Sequence, residues 1–253
     1  MTTHTSTNSW LVAWANNGAV RLRLFCFPYA GGSAWSFSGW QKYVPAGVEV
    51  CAVELPGRAT RLSETPHARV STLNYAMAEA LLPYLDKPFA FFGHSMGALI
   101  SFEFARHLRR KYQLVPRHLF VSGRRAPQIP YREARTYDLP DEDFIQDLLR
   151  EGGPEYLLDP HLIRWLLPMM RADFEVVQTH VYEPEPPLTC PVTVFGGSQD
   201  HAVGREQLDD WRHQTTSRCS VVMLPGDHFF IKTAESELLR TISQELDQLA
   251  KSL

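Results

Sequence analysis

Apolar residues fall in short, nearly continuous runs separated by longer stretches with helical spacing. The runs are Arg21–Phe27, Val48–Val53, Phe89–Gly93, His118–Ser122, Val192–Phe195 and Ser220–Leu224. Their length and their β-branched and aromatic content mark them as strands. Several are apolar almost throughout, as strands are when both faces of a sheet are covered. Between them Leu73, Met77 and Leu81 recur at every fourth position, and Leu99, Ile100, Phe102 and Leu108 share one helical face. A last helix carries Leu238, Leu239, Ile242, Leu246 and Leu249. Strands alternating with helices predict an α/β architecture with a mostly parallel, doubly wound sheet.

One stretch breaks the alternation. About seventy residues separate Ser122 from Val192, although a crossover needs only about a dozen and a structureless loop of that length is improbable. Asp141–Arg150 and Leu162–Tyr182 read as helices inside it, with Pro140 and Pro160 marking their starts. The proline-rich run from Pro184 to Pro187 marks the exit. The chain therefore reads as a single domain over residues 1–253, with a helical insertion at 124–188 placed on the strand ends. It contains no internal repeat or low-complexity tract.

Composition narrows the function classes. The 253 residues are 44% hydrophobic and 21% charged, with a formal net charge of −3. That balance gives no whole-molecule attraction to nucleic acid or to an anionic membrane. No apolar run reaches the 18 residues that would span a bilayer. Met1 to Ser9 is polar and lacks the apolar core of a secretory signal, so a cytoplasmic location is expected. Cys26, Cys51, Cys190 and Cys219 each lie in or beside an apolar run, with no C-x-x-C spacing, and read as core packing. No metal-ligand spacing appears, and no cofactor is expected.

The chemistry centres on Gly93-His94-Ser95-Met96-Gly97. A G-x-S-x-G string alone is weak, since a chain this long shows one by chance roughly one time in ten. Its setting is more specific. The strand Phe89-Ala90-Phe91-Phe92 precedes it, and Ala98-Leu99-Ile100-Ser101-Phe102 opens a helix behind it. Such an elbow strains the serine, lifts its hydroxyl above the sheet and aims a helix N-terminus at developing negative charge. Ser95 is the expected nucleophile. A serine needs a base, and the base needs an orienting carboxylate. In α/β-hydrolase folds these follow the nucleophile, acid first and histidine last.

His228 is the best-placed base, in the turn Pro225-Gly226-Asp227-His228 after a strand. His94 sits inside the elbow, and His161 and His180 come too early. Asp200 lies just past the strand Val192–Phe195, where such sheets build sites. Asp227 is its nearest rival, and His201 beside Asp200 reads as exposed loop. An oxyanion needs preorganised N–H donors. The backbone N–H of Met96 is one candidate. The second is expected from Phe27-Pro28-Tyr29-Ala30-Gly31-Gly32, with Ala30 preferred and Gly31 the alternative.

These strings, with Glu54-Leu55-Pro56-Gly57-Arg58, Ser122-Gly123-Arg124-Arg125-Ala126-Pro127 and Gly226-Asp227-His228-Phe229-Phe230, resemble the type II (external, editing) thioesterases of non-ribosomal peptide and polyketide synthases. The match runs through most of the chain in the right order. The resemblance implies hydrolysis of acyl groups held as thioesters on the phosphopantetheine arm of a carrier protein, and a mobile lid at 124–188. A monomer with an acyl-loaded carrier protein as partner is expected.

Within that lid Phe144, Leu148, Tyr156, Leu166, Met169, Met170 and Phe174 are candidates to line an acyl pocket, although apolar residues at helical spacing also serve ordinary packing. Arg124, Arg125 and Arg132 could meet an acidic carrier, or could pair with Glu133 and Asp138; Arg58 and Arg61 carry the same ambiguity. A carboxylesterase or lipase acting on free small esters, and a non-catalytic partner protein, are the alternative classes.

Overall fold

The structure, a computed structural model, describes residues 8–14, 18–150 and 159–252. Tyr156 and most of the polar N-terminus lie outside the described residues. Strands β1 Leu11–Ala13, β2 Leu22–Phe27, β3 Val48–Val53, β4 Phe89–His94, β5 Leu119–Ser122, β6 Val192–Gly197 and β7 Cys219–Leu224 form one sheet in the order β1-β3-β2-β4-β5-β6-β7. All neighbours are parallel except β1 on β3, which is antiparallel. The expected strands are present, their ends shifted by a residue or two. Strand β1 has no counterpart in the sequence reading, because three residues on a sheet edge are too few to show a period.

The helices α1 Val70–Leu81, α2 Met96–Tyr112 and α5 Glu235–Ser252 lie on the sheet, and alternation along the strands supplies both faces. Phe25, Phe27, Phe89 and Phe91 join Leu73, Met77, Ile100 and Phe104 in one core. Leu24, Cys26, Ala90 and Phe92 point the other way and join Phe37, Trp40, Leu239 and Ile242. Two cores on one sheet explain why the strands read as unbroken apolar runs. The four cysteines are free thiols, three buried and Cys219 half-buried, and burial pushes the Cys190 thiol up to about 12. Among the described residues no helix is long and apolar enough to cross a membrane.

Between β5 and β6 lie α3 Asp141–Arg150 and α4 Pro160–Gln178. Helix α3 has the expected bounds. Helix α4 starts earlier than Leu162, because Asp159 accepts the N–H groups of His161 and Leu162 and Pro160 needs no acceptor. It ends at Gln178 rather than Tyr182; His180 instead meets Glu103 on α2, 3.1 Å away. The two helices close a small core of Phe144, Leu148, Ile163 and Leu167. The segment is fastened at both ends. At the first, the Trp211 indole donates to the Arg124 carbonyl at 2.8 Å, and the Ala126 N–H to the Gln207 carbonyl at 3.0 Å. At the last, Glu185 pairs with Arg106, Arg109 and Arg110 of α2.

Phe92 lies under the elbow with its ring 4.7 Å from Trp40 and 6.0 Å from Phe37. Phe92→Ala is expected to cost about 3–5 kcal/mol in urea unfolding; a loss below about 1 kcal/mol would show that this core can collapse around the void.

Candidate active site

Strand β4 ends at His94 and α2 begins at Met96, so Ser95 must turn the chain alone. It does so at φ 53°, ψ −113°, a backbone region costly for a residue with a side chain. Neighbouring backbone holds it there: the Ser95 N–H donates to the Ser122 carbonyl at 2.7 Å. Both flanking glycines are steric necessities. A Cβ at 93 would lie 2.1 Å from the Gly97 carbonyl oxygen, and one at 97 would lie 2.1 Å from the Phe27 carbonyl oxygen.

The side chains singled out by sequence converge. His228 Nε2 lies 3.0 Å from Ser95 Oγ, and His228 Nδ1 lies 2.8 Å from Asp200 Oδ2. The other Asp200 oxygen accepts the N–H groups of Ala202 at 2.9 Å and Val203 at 3.2 Å. Burial pushes the Asp200 carboxyl up, but the His228 hydrogen bond and charge, with these two N–H groups, outweigh it and hold it below its ordinary value. Asp200 is therefore a fixed anion aimed at Nδ1, which leaves Nε2 to face the serine. The rival Asp227 is occupied elsewhere: its Oδ1 accepts the Phe229 N–H at 2.8 Å.

The remaining histidines fall away on geometry. His94 is fully buried, with Nδ1 2.9 Å from Ser122 Oγ and its ring 5.3 Å from the His228 ring. Burial, reinforced by the positive charge of a protonated His228, holds it far below its usual value, so it stays neutral under the relay. His161 is exposed at the start of α4, and His201 is exposed at the rim.

Met96 opens α2, so its N–H has no intrahelical acceptor. In the facing turn the Gly32 N–H donates to the Tyr29 carbonyl at 2.8 Å, and the Gly31 N–H donates to Asp173 Oδ2 at 2.8 Å. The Gly31 donor is thus consumed. The Ala30 N–H has no hydrogen-bond partner among the described residues.

Ser95 and His228 open onto a cleft of about 650 Å³, whose walls include Leu148, Leu166, Met169, Met170, Phe174 and Val177. Phe144 is the exception among the candidate lining residues. It is fully buried, edge-on to Phe174 at 5.4 Å, and supports the wall from behind.

The arginines do not form the basic patch that their spacing allowed. Arg124 lines the cleft, and burial next to Arg125 lowers its guanidinium to about 10. Arg125 pairs with Glu133 at 2.5 Å and lies over the Tyr131 ring, while Arg132 is exposed. Arg58 and Arg61 are buried at 4% exposure, which removes them as docking residues. Arg61 pairs with Glu64 and covers the Trp10 ring at 4.0 Å.

Arg58 pairs with Asp173 of α4, a partner the sequence reading missed. The signal was present as a lone acid among Met169, Met170, Val176 and Val177 on an apolar helix face. Among the described residues no group of three or more His, Cys, Asp or Glu side chains could hold a metal ion.

Residues 22–246 match the thioesterase domain family. The chain is 46% identical over 248 residues to the gramicidin S biosynthesis protein GrsT of Aneurinibacillus migulanus, covering 97% of each. It is 34% identical to the thioesterase PikA5 of Streptomyces venezuelae, over 92% of this chain and 83% of that one. Among solved structures it resembles RedJ, a thioesterase from the prodiginine pathway of Streptomyces coelicolor, with TM-score 0.84 and 39% identity over 90% of this chain and 87% of that one. It also resembles BorB, the type II thioesterase of the borrelidin cluster, with TM-score 0.87 and 29% identity over 96% and 99%.

The contact between Gly97 and Phe27 gives a direct test. Gly97→Ala is expected to lose about 2 kcal/mol or more of stability in urea unfolding and to slow labelling of Ser95 by a fluorophosphonate probe by about tenfold or more. A wild-type midpoint with a wild-type labelling rate would mean that the elbow tolerates the side chain.

Proposed function

The chain belongs to the thioesterase domain family, and from that premise we propose that it is a type II thioesterase that releases acyl groups from the phosphopantetheine thioester of carrier proteins on a peptide or polyketide synthase. The observation that carries the reading is the continuous Ser95–His228–Asp200 hydrogen-bonded relay opening onto a cleft with one wall of apolar side chains from α3 and α4.

Ser95 Oγ attacks the thioester carbonyl while His228 Nε2 takes its proton, and the carbonyl π pair moves onto oxygen. The N–H groups of Met96 and Ala30 hold that oxyanion, and the α2 N-terminus adds its dipole. Collapse of the intermediate breaks the C–S bond, and the imidazolium of His228 protonates the departing thiolate. Asp200 keeps the imidazole in the tautomer that faces Ser95 and balances its charge once protonated. In the second half His228 takes a proton from water, and the hydroxide adds to the acyl-serine carbon. Collapse then frees the acid, and His228 returns the proton to Ser95.

Residues 124–188 act as a lid. The acyl chain lies against Leu148, Leu166, Met169, Met170 and Phe174, burying apolar surface worth about 25 cal/mol per Å². The carrier protein is the partner. Recognition of the tethered arm, rather than of a free ester, separates this activity from that of a carboxylesterase.

Ser95→Ala is expected to abolish release of acid from an acyl-loaded carrier, followed by mass spectrometry of the carrier; retention of most of the wild-type rate would rule the mechanism out. Asp200→Asn is expected to lower kcat by about 10⁴-fold. A near-normal rate in that variant would move the orienting carboxylate elsewhere.

A further inference from the structure

The turn 29–32 faces the elbow, and what holds it comes from two other parts of the chain. Arg58 of the loop after β3 and Asp173 of α4 form a bidentate pair, Nη2 to Oδ1 at 2.6 Å and Nη1 to Oδ2 at 3.0 Å, with side chains only 4% and 3% exposed. Each member also grips the turn. Asp173 Oδ2 accepts the Gly31 N–H at 2.8 Å, and Arg58 Nη1 donates to the Gly32 carbonyl at 3.0 Å. Met170, one helical turn before Asp173, presses its sulfur on the same place: a Cβ at 31 would lie 2.7 Å from Met170 Sδ.

The geometry of a trans peptide turns these contacts into an aim. Within the planar Tyr29–Ala30 unit, C=O and N–H point in opposite directions. The Tyr29 carbonyl is held by the Gly32 N–H at 2.8 Å, so the Ala30 N–H is directed away from the turn. That arrangement requires Gly31 at φ 75° and Gly32 kept in register, the two residues that Asp173 and Arg58 hold. Stability alone is a poor reason for the pair. Buried ion pairs gain little over apolar residues of similar shape, and Arg58 Nε is buried without an acceptor.

We propose that Arg58 and Asp173 are positioning residues for thioester hydrolysis, holding the 29–32 turn so that the Ala30 N–H faces the oxyanion. The inference rests on the thioesterase mechanism above and extends it. Because Asp173 rides on the helix that walls the acyl cleft, the wall and the oxyanion site are built as one unit.

The test uses the full chain, with Asp173→Asn, which keeps an acceptor but loses the charge, and Arg58→Lys, which keeps the charge but loses the fork. An acyl-pantetheine thioester serves as substrate. Two inhibitors separate the states: a trifluoromethyl ketone analogue, whose carbon bonds to Ser95 Oγ as its oxygen becomes an oxyanion and His228 takes the proton, and the corresponding amide, which binds without reacting. Loss of one oxyanion donor costs about 10²–10³ in kcat. A donor that is present but poorly aimed is therefore expected to cost about 10–100-fold, with KM within about twofold of wild type. Affinity for the ketone should fall by the same factor while affinity for the amide holds.

Equal loss of both inhibitors would overturn the proposal, as would an unchanged kcat in a variant with a wild-type melting profile. Failure of both variants to fold would also overturn it, since the pair would then be holding the fold rather than the turn. A wild-type chain that releases no acid from the substrate would instead sink the thioesterase mechanism itself.

Discussion

The close passage of backbone past backbone at the elbow is the constraint on which the site depends. Gly97 packs against the Phe27 carbonyl, and Gly93 against the Gly97 carbonyl, at separations that leave no room for a Cβ. Those contacts bring the end of β2, and with it the turn 29–32, beside the start of α2. They also hold Ser95 in a backbone conformation that it would leave if free. The parallel register then does the rest. Phe27 pairs with Gly93, and Ser122 with both His94 and Phe195, so the carboxyl ends of β2, β4, β5 and β6 stand level. Asp200 and His228 reach Ser95 from loops that leave that same edge.

Electrostatics follow from this placement. The relay combines one fixed anion, Asp200, with a neutral imidazole beneath it, His94. Because His94 is kept uncharged by burial, a protonated His228 would face the Asp200 carboxylate at 2.8 Å with a neutral ring 5.3 Å away. The cleft sorts its charges similarly. Arg125 is paired with Glu133, and Arg58, outside the cleft lining, with Asp173, while Leu148, Leu166, Met169, Met170, Phe174 and Val177 supply the apolar part of the wall. Arg124 and Lys232 also line the cleft, and burial drives the Arg124 guanidinium down.

Much of this was legible from residues alone, and the parts that were not share a cause. The strands, the elbow, His228 and Asp200 are encoded locally: an apolar run, a glycine pair around a serine, a polar turn after a strand. Asp200 is preferred to Asp227 already in the sequence, and the structure adds that the Phe229 N–H occupies Asp227. Ala30 is likewise preferred to Gly31 there, and the structure adds that Asp173 accepts the Gly31 N–H. Asp173, the burial of Arg58 and the place of Phe144 behind the wall depend on the angle at which α4 lies over the sheet edge, and periodicity reports which face of a helix is apolar, not what that face meets. Strand β1 was missed for a simpler reason, its three residues.

The fastening of residues 124–188 has a consequence for how such a chain can diversify. Its first end is tied to the framework through Trp211 and Gln207, and its last through the three arginines that share Glu185. The strands on either side pair with each other directly, Leu119 to Ser122 against Val192 to Phe195. The segment is therefore a cassette. Its interior can be rewritten, lengthened or shortened without changing the register of the sheet, provided that the two ties and the carboxylate at position 173 are kept. On the proposed reading, a new acyl preference can arise inside the segment while Ser95, His228 and Asp200 stay untouched, and chimeras joined inside the two ties are the natural form in which to transplant one preference onto another body.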